Sequence, residues 1–142
     1  MSEFLDRWAK SRARTLTLVS TIPEAALSFS PLPGYRTMQE LIVHIVGTEI
    51  TVLEGITTGS FEWGATTSRL ADRSVPELTE IARATDARLK LLLESAVDLE
   101  ERIEPFSRSE WLWLVYDHEI HHCGVLALMM RLAGLEVSAI FS

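Results

Sequence analysis

The chain has 142 residues, 47% of them hydrophobic, which suffices to bury one core and leaves little for a second, so residues 1–142 are read as one domain. Its 20 acidic residues against 13 basic ones give a net charge of -7 with no lysine or arginine cluster, a balance that argues against nucleic acid and anionic membrane as partners. The start MSEFLDRWAK lacks the basic run and apolar core expected of a leader peptide, no apolar run reaches the roughly 20 residues of a membrane span, and the single Cys123 allows neither an internal disulfide nor a CxxC motif; the expected setting is the cytoplasm.

Four helices are predicted in chain order. The first covers about Ser2 to Thr21, with Leu5, Trp8, Leu16 and Val19 on one stripe. Arg12 shares that stripe, and is expected either to snorkel to the edge of the core or to hold an anionic ligand. The segment IPEAALSFSPLPGYR then forbids continuation through Pro31, Pro33 and Gly34. Each later helix opens on a Ser or Thr with Glu three residues on: Thr37 and Glu40, Ser74 and Glu77, Ser107 and Glu110. These are capping boxes.

The second helix is predicted over about Met38 to Ile56, with Leu41, His44 and Thr48 facing inward. The third is predicted over about Val75 to Leu99, burying Leu78, Ile81, Leu89, Leu92, Ala96 and Leu99. The fourth runs from about Arg108 to Ala133 and stops at Gly134, a residue suited to a left-handed cap. Between the second and third lies TTGSFEWGATTSRLADR, long enough to cross the end of a bundle, with Phe61 and Trp63 expected either to cap that end or to line a substrate mouth. No alternating strand pattern of useful length occurs. The fold class is all-α, a four-helix bundle with one long crossover.

Three of the 4 histidines fall within YDHEIHHCGVLALMMRLAG. On the fourth helix, Trp111, Val115, His118, His122, Val125, Met129 and Leu132 recur every three or four residues and form a seam. His118 and His122 lie on it, about 40° apart and one turn along, with Glu119 and His121 to either side. Buried imidazoles without partners cost about 1–3 kcal/mol each, so the seam should contain something that pairs with them. His44 supplies a third inward imidazole from the second helix. Three nitrogens from two helices, with a position left open, suit a catalytic zinc, nickel or iron.

His118, Glu119 and His122 also spell HExxH, the zinc-protease pattern. Its longer form would need glycine and histidine where Val125 and Leu128 stand, and an all-α fold offers no sheet edge to a peptide. A ferritin-like di-iron site fails as well, because no Glu has a His three residues later. Glu119 remains a candidate for orienting a ligand or activating water. Cys123 is expected to be a packed residue, His121 to face a neighbouring helix or subunit, and Asp117 to be solvated. Gly47 and Gly124 are expected to mark close helix or subunit contacts.

FSPLPGYRTMQELIVHI and YDHEIHHCGVLALMMRLAG (Tyr116–Gly134) resemble, nearly end to end, the DinB/YfiT-like family of metalloenzymes. The first matches its Pro/Gly, Arg-Thr/Ser and Glu-Leu-x-x-His segment, and the second its HxxxH helix. The resemblance implies a metal triad of His44, His118 and His122, the same three residues, and an up-down-down-up bundle, commonly a homodimer. It further implies either thiol transfer or isomerisation with a low-molecular-weight thiol such as mycothiol or bacillithiol, or hydrolysis. Cys123, Gly124 and Val125 replace the Arg-Gly-Gln common after the second histidine, and the tail EVSAIFS lacks a frequent proline. The expected function is a divalent-metal enzyme, zinc or nickel, acting on a small molecule. Arg36 and Arg12 are the nearest anchors for its polar parts. The alternative is a non-catalytic, stress-associated homodimeric bundle with a structural or vestigial metal.

Overall fold

The computed structural model describes residues 1–138, so the end of the proline-free tail lies outside the described residues. Its helices are α1 (Ser2–Ser20), α2 (Met38–Thr58), a short α3 (Ala65–Leu70), α4 (Val75–Glu94) and α5 (Arg108–Leu132). A single 3-10 turn, Glu24–Ala26, lies in the first connection. Two two-residue strands, β1 (Arg102–Ile103) and β2 (Phe106–Ser107), pair antiparallel just before α5.

All three capping boxes form. Thr37, Ser74 and Ser107 each accept from the backbone N–H three residues on, and Glu40, Glu77 and Glu110 reach back to the cap's own N–H. Each box satisfies two backbone donors that a helix start otherwise leaves unpaired. At the far end of α5, Gly134 takes the left-handed conformation (φ 80°), as its position after the last helical turn requires.

α1 and α2 each pack against both α4 and α5. The crossover is interrupted by α3, which lies along α2: Thr51 and Thr66 share a hydrogen bond, and a side chain on Gly47 would meet Thr67. Phe61 and Trp63 do cap the bundle's end, stacked on each other and against Trp111. Gly55 makes room for this, since a Cβ there would overlap the Phe61 ring.

Three expectations about faces and ends are corrected. α4 ends at Glu94, not Leu99. Ser95 turns extended and donates its hydroxyl to the Leu92 carbonyl, leaving Ala96 exposed and Leu99 half-buried in the following loop. On α1 the buried stripe is Phe4, Trp8, Ser11, Arg12, Thr15, Leu18 and Val19, with Leu5 and Leu16 only at its margin. On α5 the expected Trp111, Val115, His122 and Met129 are buried, but the buried face is broader, taking in Leu112, Glu119, Cys123, Leu126 and Met130, while His118 and Val125 are half-buried and Leu132 is exposed. That face extends past Glu119, so His122 lies within it and His118 at its edge.

The core is divided. One apolar cluster gathers Leu18, Met38, Leu41, Ile45, Leu78, Leu126 and Met130, and the other Phe4, Trp8, Val52, Ile56, Leu89, Trp111 and Leu112. Near their boundary, α1, α2 and α5 bring in the buried charged residues Arg12, Glu49 and Glu119. α2 itself has 21 residues and, contrary to the sequence expectation, is long and apolar enough to cross a membrane. However, 72% of that stretch is buried inside the bundle, which accounts for its apolarity.

Candidate metal centre

His44 enters from the second turn of α2, and His118 and His122 from successive turns of α5, so one helix pair positions all three imidazoles. Nε2 of His44 and Nε2 of His118 lie 2.9 Å apart. One ligand nitrogen from each ring falls within 4.8 Å of the others. The ring centroids stand 4.4–4.7 Å apart with edges turned towards faces. His122 is buried and the other two are half-buried, so the cluster closes inward and opens outward.

Electrostatics keeps the cluster neutral. Burial first, then the neighbouring His122, His44, His121 and Arg36, lowers His118 from 6.5 to about 3. Burial, then His44, His121 and Arg36, lowers His122 to about 4. His44 is lowered by burial and by Arg36. At pH 7 all three rings therefore present lone pairs.

This donor set fits a divalent ion. Nitrogens bound about 2.0–2.1 Å from a tetrahedral zinc stand about 3.3 Å apart, a spacing that small ring rotations reach from the observed one. Nδ1 of His118 and Nδ1 of His122 are buried and have no hydrogen-bond partner among the described residues. Close-packed rings with such orphaned nitrogens are costly unless a ligand draws the set together. No other group of three or more His, Cys, Asp or Glu side chains with this spacing exists among the described residues.

The remaining sequence candidates separate from the cluster. His121 is exposed, its ring edge-on to His122 at 4.7 Å. Cys123 is buried, and burial pushes its thiol above the usual range, as suits a packed residue. Glu119 does not receive a ring N–H from the triad. It accepts a hydrogen bond from Thr15 at 2.8 Å and pairs with Arg12 Nη1 at 3.1 Å. Burial raises its carboxyl above the ordinary range, against the pull of Arg12 and Thr15. The glutamate of HExxH is thereby turned into the bundle, away from the position of a zinc-protease base.

Arg12 departs from both of its expected roles. It is 3% exposed, so it does not snorkel, and its guanidinium is taken up by the chain's own carboxylates. Its guanidinium pairs with Glu49 of α2, with Asp86 of α4 and with Glu119 of α5, and lies over the Trp8 ring, whose N–H donates to Asp86. Glu49 and Asp86 were not anticipated from the sequence. The available signal was Arg12 itself, because a guanidinium on a core stripe demands a buried carboxylate elsewhere.

A concavity of about 950 Å³ lies away from the histidines, among Ile22, Leu27, Gln39, Arg73, Thr79 and Arg83. A smaller one of about 340 Å³ is lined by Arg36, Glu40, Val43, Thr67 and Ala71. No histidine lines it, but it shares α2 with the triad: Glu40 and His44 are one turn and about 40° apart.

A helical bundle with an inward histidine triad from two helices defines a class of candidate metalloproteins. The DinB family model matches residues 1–141, and the chain belongs to the DinB family. Among solved structures it is similar to a DinB-like protein from Bacillus cereus (27% identity, TM-score 0.79, covering 98% of this chain and 96% of that one). It also shares its fold with a DinB-like protein, YjoA, from Bacillus subtilis (21% identity, TM-score 0.75, covering 99% and 98%). No curated protein matches the chain.

Proposed function

We propose that this chain is a divalent-metal-dependent enzyme whose ion is held by His44, His118 and His122, with zinc or nickel as the expected metal. The observation that carries this reading is the convergence of three neutral imidazoles from two helices, two of them with buried, unpartnered nitrogens. When bound, a divalent ion supplies Lewis acidity that lets a low-molecular-weight thiol or water serve as the nucleophile near neutral pH. The chain's own residues keep the nitrogens deprotonated, hold them at fixed spacing through the packing of α2 on α5, and leave His44 and His118 open to a small-molecule substrate. Thiol transfer and hydrolysis share these requirements. In this reading Glu119 is no base at the cluster; it serves the Arg12 network.

The proposed setting is cytoplasmic, without nucleic-acid or membrane partners, and the proposed assembly is a homodimer. Supporting the dimer is an apolar stripe on the outer face of α5, where Leu114, Ile120, Leu128 and Leu132 are exposed around Gly124, beside which a side chain would meet nothing.

The test is metal content followed by turnover. His44→Ala, His118→Ala and His122→Ala should each lose most of the bound divalent ion by elemental analysis, and His121→Ala should retain it. The loaded protein should consume a chromogenic electrophile with bacillithiol, mycothiol, glutathione or water, and His44→Ala should not. Full metal content without turnover would favour the non-catalytic bundle. Loss of metal in His121→Ala but not in His44→Ala would defeat the triad.

A further inference from the structure

We propose that Arg36 and the 340 Å³ cavity it lines form an anion subsite beside the triad, taking the carboxylate end of a small ligand whose other end reaches the histidines. Arg36 is exposed immediately before the N-cap of α2 and makes no hydrogen bond or ion pair among the described residues. The contrast with Arg12, enclosed by three carboxylates, is direct. Of the two arginines near the site, only Arg36 is free to meet a ligand.

The rest of the lining fits this role. Glu40 is the other charged group, and its carboxylate is drawn back to the helix start, accepting from the Thr37 N–H at 2.9 Å. Val43 and Ala71 give apolar wall, and Thr67 a hydroxyl. The volume is at the lower end of the range of about 300–1,000 Å³ in which small-molecule sites fall. Glu40 precedes His44 by one helical turn, so one end of the cavity is one turn along α2 from the cluster. The charge of Arg36 is felt by all three histidines. On a chain of net charge -7, an unpaired guanidinium there sets where a small anion can approach.

The inference rests on the metal reading only for the ligand's second attachment, and the experiment separates the two. Cobalt-loaded protein is titrated with 3-mercaptopropionate and with 2-mercaptoethanol, thiols of similar size that differ in charge, following the cobalt absorption. The preference for 3-mercaptopropionate should fall about fivefold in Arg36→Gln, the scale of an exposed ion pair, at unchanged cobalt content, and Arg36→Lys should keep most of it. An equal preference in wild type and Arg36→Gln overturns the subsite. In parallel, metal-free protein is titrated with 3-mercaptopropionate while the Arg36 side-chain N–H resonance is followed. If cobalt does not bind, the metal reading fails and this arm decides alone. A shift with 3-mercaptopropionate and none with 2-mercaptoethanol upholds the subsite, and no shift overturns it.

Discussion

Desolvation is the first cause of the lowered basicity of all three clustered imidazoles, ahead of any neighbouring charge. The consequence for stability follows from linkage. Unfolded histidines titrate near 6.5, whereas His122 and His118 in the folded chain wait until about 4 and about 3. Between those values the unfolded state binds protons that the folded state refuses. The metal-free protein should therefore be fully stable above about pH 6.5 and lose stability as the pH falls through that window. Urea midpoints measured from pH 7 to pH 5 should decline, and the decline should be shallower in a His118→Ala, His122→Ala double variant. An identical slope in the two proteins would show that these rings do not carry the effect.

Between elements, the Arg12 network joins α1 to α2, α4 and α5 through one guanidinium. Desolvating an ion pair roughly cancels its attraction, so the network adds little net stability over an apolar layer. Breaking it is another matter. Arg12→Met should cost about 3–5 kcal/mol in urea unfolding, because buried carboxylates are left uncompensated, and adding Glu49→Gln and Glu119→Gln should restore much of the loss. A loss under about 1 kcal/mol would place the charges in water. The sequence announced the histidines plainly, since His118 and His122 repeat at helical spacing inside an apolar run, and capping boxes marked three helix starts. Glu49 and Asp86 were not legible, because their partner stands on another helix and local periodicity carries no information about pairing across a bundle. The early end of α4 was missed for a related reason. Ala96 and Leu99 keep a helical period, but Ser95 stops the helix by a local hydrogen bond that periodicity does not register.

For the whole molecule, the outward face of α5 governs assembly in the proposed homodimer. Leu128 is exposed near the middle of the apolar stripe, so Leu128→Glu should convert a dimer to a monomer by light scattering while leaving metal content intact. A wild-type monomer would remove the dimer proposal, and a variant that stays dimeric would move the interface to another face. The charged layer through the core has a consequence in time as well. Each of the four long helices contributes one member, and α5 brings Glu119 last. On the ribosome, the chain emerges with Arg12 first and meets its final carboxylate, together with two of the three clustered histidines, only when α5 clears the exit tunnel. Partial bundles lack a completed charge layer until then, so closure of the fold and assembly of the histidine cluster coincide as one late event of synthesis.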